Sequence, residues 1–429
     1  MTQRKISVAI VGSGPSGFFA AEALLDAGRE VEIDIIERLP SPFGLIRFGV
    51  APDHQVTKRV TETYDAIAES PQVRFFGNVT VGTEVQIEDL RNFYDAVILA
   101  TGAPEDAPLS VPGSDLQGVY GCAQFVGWYN GHPDHAGLAP SFDTDAVAVL
   151  GMGNVALDVI RVLTKSPVEL ETTDICEYAL SALRTSAIRD VYVLGRRGPL
   201  ETRFSNVELR EIGTLEGVSR VVDARQLENA HETAGAASRL QQRNFQVFQN
   251  FASEPQRPGK RVHFIFNVVP DSILGGSGVD GIRLRRAGES TTHLDLACGM
   301  IIGAIGFRGR PIPGVPFDPV RKIVPNENGK VADSVYAVGW IKRGPSGVIG
   351  TNKPDGALAA QSIIQEFPHG GSKEGRAKLI RLLVEKKIRW IDYEGWKRID
   401  RTEREIARPG SPRQKLHRIA DMMTHAEAS

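Results

Sequence analysis

Apolar positions along the chain gather into short runs that alternate with stretches of helical character. Ile6–Val11 reads Ile-Ser-Val-Ala-Ile-Val, the composition of a strand buried on both faces of a parallel sheet. Phe18–Ala27 follows with helix formers and no breaker until Gly28. Glu30–Glu37 alternates and predicts a second strand. The same order returns later. Ala146–Leu150 predicts a strand, Leu157–Leu163 a helix, and Asp190–Leu194 the next strand. Further strand-like runs are Tyr94–Gly102, Gly299–Gly306 and Val335–Gly339. Strand and helix in alternation predict an α/β fold with parallel sheets.

The turns between these elements carry the candidate chemistry. After the first strand come Gly12-Ser13-Gly14-Pro15-Ser16-Gly17, then the helix, then a strand ending in Glu37. Gly12 suits a tight turn, Gly14 lets a pyrophosphate approach the backbone, and Gly17 lets helix and strand pack closely. The phosphates then sit at the helix start, where free N–H groups and the dipole favour anions. Glu37 is placed to accept hydrogen bonds from ribose hydroxyls. Strand, turn, helix and acid in this order form a dinucleotide fingerprint.

The second copy differs at its strand end. Gly151-Met152-Gly153-Asn154-Val155-Ala156 has alanine in the third glycine place, and Asp190–Leu194 leads into Gly195-Arg196-Arg197. An acid there would repel a 2′-phosphate, whereas two guanidiniums can bind one. The first site should take FAD or NAD(H), the second NADP(H). Flavin and nicotinamide held by one chain is the common physical solution for coupling hydride to single-electron transfer. Gly347-Val348-Ile349-Gly350 precedes a plausible helix and offers backbone donors for negative charge on a reduced flavin ring.

Tyr94–Gly102 and Val335–Gly339 are the candidate crossings between domains, beside the proline-rich stretches 103–112 and 310–319. The architecture expected is two Rossmann-like dinucleotide-binding domains, the NADP domain inserted into the FAD domain. Its parts are 1–105, 106–319 and 320–429. Residues 215–262 give mixed helical and irregular signals. Residues 373–429 read as surface helices and an extended tail.

Composition narrows the classes. A length of 429 residues suits two or three domains, and 50 basic against 52 acidic residues argue against a general nucleic-acid binder. No apolar run reaches the ~18 residues of a membrane span, and Met1–Lys5 carries no leader-like segment, so a cytoplasmic protein is expected. Cys122, Cys176 and Cys298 are widely spaced with no CxxC, which excludes a dithiol mechanism and a zinc knuckle. No metal is expected. Glycine, 44 of 429, exceeds the usual ~7 % and fits repeated close backbone approach.

Longer segments carry a resemblance. They are Pro42–His54, Gly151–Asp158, Gly195–Leu200, Glu208–Glu211 and Val338–Asn352. Across essentially the whole chain the sequence resembles the adrenodoxin reductase-like ferredoxin–NADP reductases. The resemblance implies that NADPH reduces FAD and that FAD passes electrons singly to a small iron–sulphur protein. It implies that Ser16 and Glu37 contact the FAD pyrophosphate and ribose, and that Leu45 and Val81 line the flavin. Trp340, Gly347, Val348 and Ile349 would hold its ring. Met152, Gly153, Asn154 and Val155 would meet the NADP pyrophosphate, Arg196 and Arg197 the 2′-phosphate, and Glu208 and Gly347 the nicotinamide side. His54 and Glu211 look like the pair placed near the flavin, with His54 orienting the nicotinamide rather than acting as an obligatory acid or base. Arg203 departs from the family pattern and adds a charge near the nicotinamide approach.

Ferredoxin-type partners are acidic, so a basic docking face is needed. Arg220, Arg225, Arg239, Arg243, Arg257, Lys260 and Arg261 are its candidates. A monomer is the default. Alternatives are an NADPH-dependent flavin monooxygenase and a non-catalytic FAD/NADP-binding redox sensor. A thioredoxin-type reductase would need a reactive cysteine pair.

Overall fold

A computed structural model describes residues 4–288 and 292–427. Met1–Gln3, part of the Met1–Lys5 segment read above, and the last two residues of the 373–429 stretch lie outside them.

Two six-stranded sheets organise the molecule. In the first, the strands lie in the order Lys330–Ala332, Val335–Ala337, Ala96–Leu99, Ile6–Val11, Val31–Glu37 and Val73–Gly77. Every pairing is parallel except the edge hairpin of Lys330–Ala332 with Val335–Ala337. In the second, all parallel, the order is Val119–Gly121, Met300–Gly303, Ala146–Leu150, Asp190–Leu194, Lys260–Ile265 and Val218–Val222. The chain leaves the first sheet after Leu99, builds the second, and returns at Lys330. One dinucleotide fold is therefore inserted into the other.

Burial explains the strands. Ile6, Val8 and Ile10 face one core cluster of the first sheet, while Ala9 and Val11 face another. In the second sheet Val147 and Val149 point to one side and Ala146, Ala148 and Leu150 to the other. A strand covered on both faces has no solvent side, so alternation vanishes and the run is apolar throughout. Each buried Val or Ile contributes about 1.5–3 kcal/mol of transfer free energy.

Both sheets place their glycine-rich turn at a switch point. Ile6–Val11 lies between Val31–Glu37 and Ala96–Leu99, and Ala146–Leu150 between Asp190–Leu194 and Met300–Gly303. Chain connections diverge there and leave a crevice at the carboxyl ends of the strands. Where the chain crosses between the sheets, Glu105–Asp106 and Phe307–Arg308 pair as a short antiparallel ribbon.

Two regions differ from their sequence readings. Residues 215–262 are regular: strand Val218–Val222, helices Arg225–Ala234 and Arg239–Ser253, and a strand starting at Lys260. The helix Arg239–Ser253 buries Phe245, Phe248 and Phe251 at helical spacing amid polar residues, which diluted the signal. The C-terminal stretch is not a surface tail. Trp396, Met422 and Met423 join the core of the first sheet, with Trp396 only 2 % exposed. Its charges are internal too: Glu403 is buried and paired with Arg47, and Lys415 is buried and paired with Asp174. A charged composition reads as surface when partners distant in sequence are unseen.

Candidate active site

At the first turn, glycine is required for two different reasons. Gly12 has φ +108°, and a Cβ there would lie 2.6 Å from the Ala100 carbonyl oxygen. A Cβ on Gly17 would lie 2.1 Å from the Gly12 carbonyl oxygen. These two are fixed by the chain's own packing. Gly14 is different: a Cβ would meet no atom within 4 Å. The helix Pro15–Leu25 starts at Gly14 with no side-chain cap; Pro15 has no N–H and the Gly17 N–H donates to Gly14 O at 3.0 Å, which leaves the Ser16 N–H for this opening. An open approach onto an uncapped helix start fits a pyrophosphate.

Glu37 closes the strand Val31–Glu37. Its carboxylate accepts from Ser13 N at 3.0 Å, Ser13 Oγ at 2.7 Å and Leu39 N at 3.1 Å. It is held at the turn, not free in solvent. Ser16 is buried and donates to Asn352 Oδ1 at 3.1 Å, tying the turn to the segment that follows Gly347. Leu45 follows Gly44, which packs against Gly14, and it is 44 % exposed. Val81 is half-buried against the core on the other side of the sheet.

A third backbone approach comes from residues 339–352. Trp340 stacks on Phe307 with centroids 5.9 Å apart, and its indole N–H donates to Ser346 O at 3.0 Å. The Arg343 guanidinium donates to Thr351 Oγ1 at 3.1 Å and Asn352 Oδ1 at 2.9 Å, and it pairs with Asp355. It braces the loop that carries Gly347, Val348 and Ile349. Val348 is 67 % exposed, an apolar side chain left uncovered beside the turn-bracing loop, while Ile349 packs partly against the core. Uncovered Leu45 and Val348 fit an apolar ring system.

The second turn repeats the logic. A Cβ on Gly151 would lie 2.1 Å from the Ala304 carbonyl oxygen, whereas one on Gly153 meets nothing within 4 Å. The helix Asn154–Thr164 starts at Gly153 with no side-chain cap. The Met152 side chain packs against Gly195, and Val155 lies against the core. Arg196 and Arg197 are exposed and pair with no carboxylate among the described residues.

Between the turns lies a cluster built around Arg161, which is 1 % exposed. Its guanidinium binds Asp53 through Nε at 3.0 Å and Nη2 at 3.3 Å, and Asp158 at 2.5 Å. The same Nη2 lies 3.3 Å from His54 Nδ1. A guanidinium only donates, so Nδ1 accepts and Nε2 carries the proton. Nε2 in turn lies 3.0 Å from Glu211 Oε2. The sequence-read pair His54 and Glu211 is thus brought together, and a buried arginine orients it. Lys165 adds an ion pair to Asp53 at 2.9 Å. Burial alone would push Asp53 up, but Arg161 and Lys165 hold it well below the usual carboxylate range. Burial pushes Asp158 up despite Arg161.

Glu208 sits on the same helix as Glu211, Asn206–Gly213, which Ser205 caps. Ser205 N donates to Asn154 Oδ1 at 2.7 Å, so this helix starts beside the second turn. Burial, with Asp158 adding to it, pushes Glu208 up to about 7, and one of its oxygens is buried with no hydrogen-bond partner. An orphaned carboxyl oxygen next to the turn fits an incoming amide or other donor. Sequence reading missed Asp53, Asp158, Arg161 and Lys165. The available signal was Asp158 and Arg161 three apart in a helix that is otherwise apolar from Val155 to Leu163.

All three cysteines are buried and free. Among the described residues no cluster of His, Cys, Asp or Glu has metal-site geometry, and no helix is long and apolar enough to cross a membrane.

Known proteins match this arrangement. A family model described as pyridine nucleotide-disulphide oxidoreductase matches residues 6–192. The NADPH-ferredoxin reductase FprA of Mycobacterium leprae is 41 % identical over 443 residues, covering 97 % of each chain. The mitochondrial NADPH:adrenodoxin oxidoreductase of Homo sapiens is 37 % identical over 449 residues, covering 97 % of this chain and 91 % of that one. The structure of Mycobacterium tuberculosis FprA in complex with NADPH matches with a TM-score of 0.95 at 37 % identity, over 99 % of this chain and 100 % of that one. A Lactococcus lactis thioredoxin reductase, TM-score 0.50 at 16 % identity, shares the fold alone. Identity at this level over nearly full length decides the matter: the chain belongs to the family of NADPH-ferredoxin and NADPH:adrenodoxin reductases.

Proposed function

We propose that the protein is an FAD-containing ferredoxin–NADP reductase that takes hydride from NADPH and passes single electrons to a ferredoxin-type iron–sulphur protein. The observation that carries this is the contrast at two matched strand ends: the bonded carboxylate Glu37 at one, and at the other Arg196 and Arg197, which pair with no carboxylate among the described residues. A carboxylate suits ribose hydroxyls; paired guanidiniums suit a 2′-phosphate. The chemistry FAD supplies when bound is acceptance of a hydride and release of electrons one at a time.

The chain's own residues then position and exclude. Gly12, Gly14, Ser16, Gly17 and Glu37 hold the FAD pyrophosphate and ribose. Leu45, Val81, Trp340, Gly347, Val348 and Ile349 border its ring. Met152, Gly153, Asn154, Val155, Arg196 and Arg197 hold NADP(H), with Glu208 and Gly347 on the nicotinamide side. His54 and Glu211, fixed by Arg161, orient the nicotinamide; hydride transfer depends on a donor–acceptor approach of about 3–3.5 Å more than on a proton donor.

The domain parts proposed are 1–105, 106–319 and 320–429; the ribbon of Glu105–Asp106 with Phe307–Arg308 supports the first boundary and lies just before the second. The docking face for an acidic partner is narrower than the cluster of cations read from the sequence. Arg220 pairs with Glu254, Arg225 with Asp223 and Arg261 with Asp190, and Lys260 donates to Leu163 O. Arg239, Arg243 and Arg257 stay exposed without a carboxylate partner among the described residues. Arg239 and Arg243 lie four apart on one helix, on its solvent face. A monomer working in the cytoplasm accords with this reading.

One assay tests it. Purified protein is given NADPH while flavin bleaching is followed, with ferredoxin and cytochrome c as acceptors. Rapid cytochrome reduction that requires ferredoxin is expected. Substrate-dependent oxygen uptake would replace the proposal with a flavin monooxygenase, and absence of bleaching with a non-catalytic sensor.

A further inference from the structure

The NADP(H) reading of the second turn leaves one cation beside it unused. After the short helical turn Pro199–Glu201, the chain runs extended through Thr202, Arg203 and Phe204. Thr202 and Phe204 are buried, and Arg203 between them is exposed, the alternation of a strand with one wet face. Arg203 N donates to Met152 O at 2.8 Å, and Arg203 forms a parallel β-bridge with Gly153.

That bridge fixes a direction. Residues paired across a parallel bridge send their Cα–Cβ bonds to the same face of the pleat. Gly153 is extended, at φ −125° and ψ 169°, and on its Cβ side nothing lies within 4 Å. The Arg203 side chain therefore leaves the backbone toward the opening in front of the uncapped helix Asn154–Thr164. Its guanidinium pairs with no carboxylate among the described residues. A helix start offers only partial positive charge to a pyrophosphate that carries about two negative charges.

Resting on the NADP(H) reading of this turn, we propose that Arg203 is a binding residue for the dinucleotide pyrophosphate, distinct in duty from Arg196 and Arg197. Those two read the adenosine 2′-phosphate and so separate NADP(H) from NAD(H). Arg203 reads a group common to both, and raises affinity without changing preference.

Binding to oxidised holoenzyme, measured by titration calorimetry at low salt, tests this without turnover. Three ligands are used: NADP+, NAD+ and ADP-ribose, the last having the pyrophosphate but neither nicotinamide nor 2′-phosphate. Arg203→Ala should weaken all three by a similar factor, about tenfold. Arg203→Lys should recover part of the loss, and raised salt should shrink the gap between wild type and Arg203→Ala. Three results overturn the proposal. Loss confined to NADP+ would place the guanidinium at the 2′-phosphate. Loss for NADP+ and NAD+ with ADP-ribose unchanged would place it at the nicotinamide. Unchanged binding of all three would leave it a solvated side chain. Wild-type protein that binds none of the ligands would instead remove the NADP(H) reading, and this inference with it. Arg203 is exposed and its bridge is made by backbone, so the alanine variant keeps the fold; flavin content and melting temperature equal to wild type verify that.

Discussion

The two glycine-rich turns share one backbone plan and differ in what waits at the neighbouring strand end. At the first, Glu37 already holds three hydrogen bonds from Ser13 and Leu39. At the second, the guanidiniums of Arg196 and Arg197 stand in solvent and pair with no carboxylate among the described residues. A recognition group fixed in advance lowers the ordering cost of binding and favours slow release. Groups that must be ordered by each arriving ligand favour exchange. The difference matches a site for a resident flavin and a site for a nucleotide that turns over.

The largest test of that contrast is at Gly14. Its extended backbone, φ −77° and ψ −176°, tolerates a side chain, and its Cβ position is open. Gly14→Val should therefore fold with a near-normal melting temperature yet retain no FAD after gel filtration. Gly17→Ala should fail to fold, because its Cβ meets the Gly12 carbonyl at 2.1 Å. If both variants lose the fold, the opening at Gly14 is structural. Next in size, replacing Arg196 and Arg197 together should raise KM for NADPH by a factor on the order of 10²–10⁴ more than KM for NADH. An equal rise for both would sink the 2′-phosphate assignment.

Smaller effects lie between the turns. His54→Ala should slow flavin reduction in stopped flow by roughly tenfold to a hundredfold and leave FAD bound. Loss of the flavin would make the histidine a structural element. The smallest effect is in pH. Glu208, pushed up to about 7, is neutral below that pH and anionic above it; burial, Asp158 and Glu211 raise it, while Arg161 and His54 oppose them. On its proposed place beside the nicotinamide, its carboxylate would attract the cationic ring of NADP+, so NADP+ affinity should rise several-fold between pH 6 and 8. Glu208→Gln should flatten that profile. A profile that keeps its inflection would assign the titration to another group.

The legibility of these features in the sequence followed their locality. Ile6–Val11, Ala146–Leu150 and Asp190–Leu194 have the bounds that the apolar runs predict, because a doubly covered strand writes its burial into consecutive residues. The glycine turns were equally plain, since tight turns act over a few residues. Arg161 was not plain. Its partners Asp53 and His54 are more than a hundred positions away, and within its helix it resembles an ordinary surface cation. Trp396, Met422 and Met423 were misjudged for the same reason: what buries them is chain far away in sequence. The helix Arg239–Ser253 shows an intermediate case, with phenylalanines at helical spacing thinned by polar neighbours.

One buried carboxylate has a bearing on how the protein is made. Asp174, in the inserted unit, is reached by Lys58 from the first unit and by Lys415 from the C-terminal stretch, which also ties Arg408 and Ser411 to the Thr173 and Ile175 carbonyls. The strands and glycine-rich turns of both folds have left the ribosome once the helix Lys353–Glu366 has passed, but the first sheet then still lacks Trp396, Met422 and Met423 of its core. The same late stretch carries Lys415 to Asp174. The last segment made therefore finishes the first core and bolts that core to the inserted unit in one step.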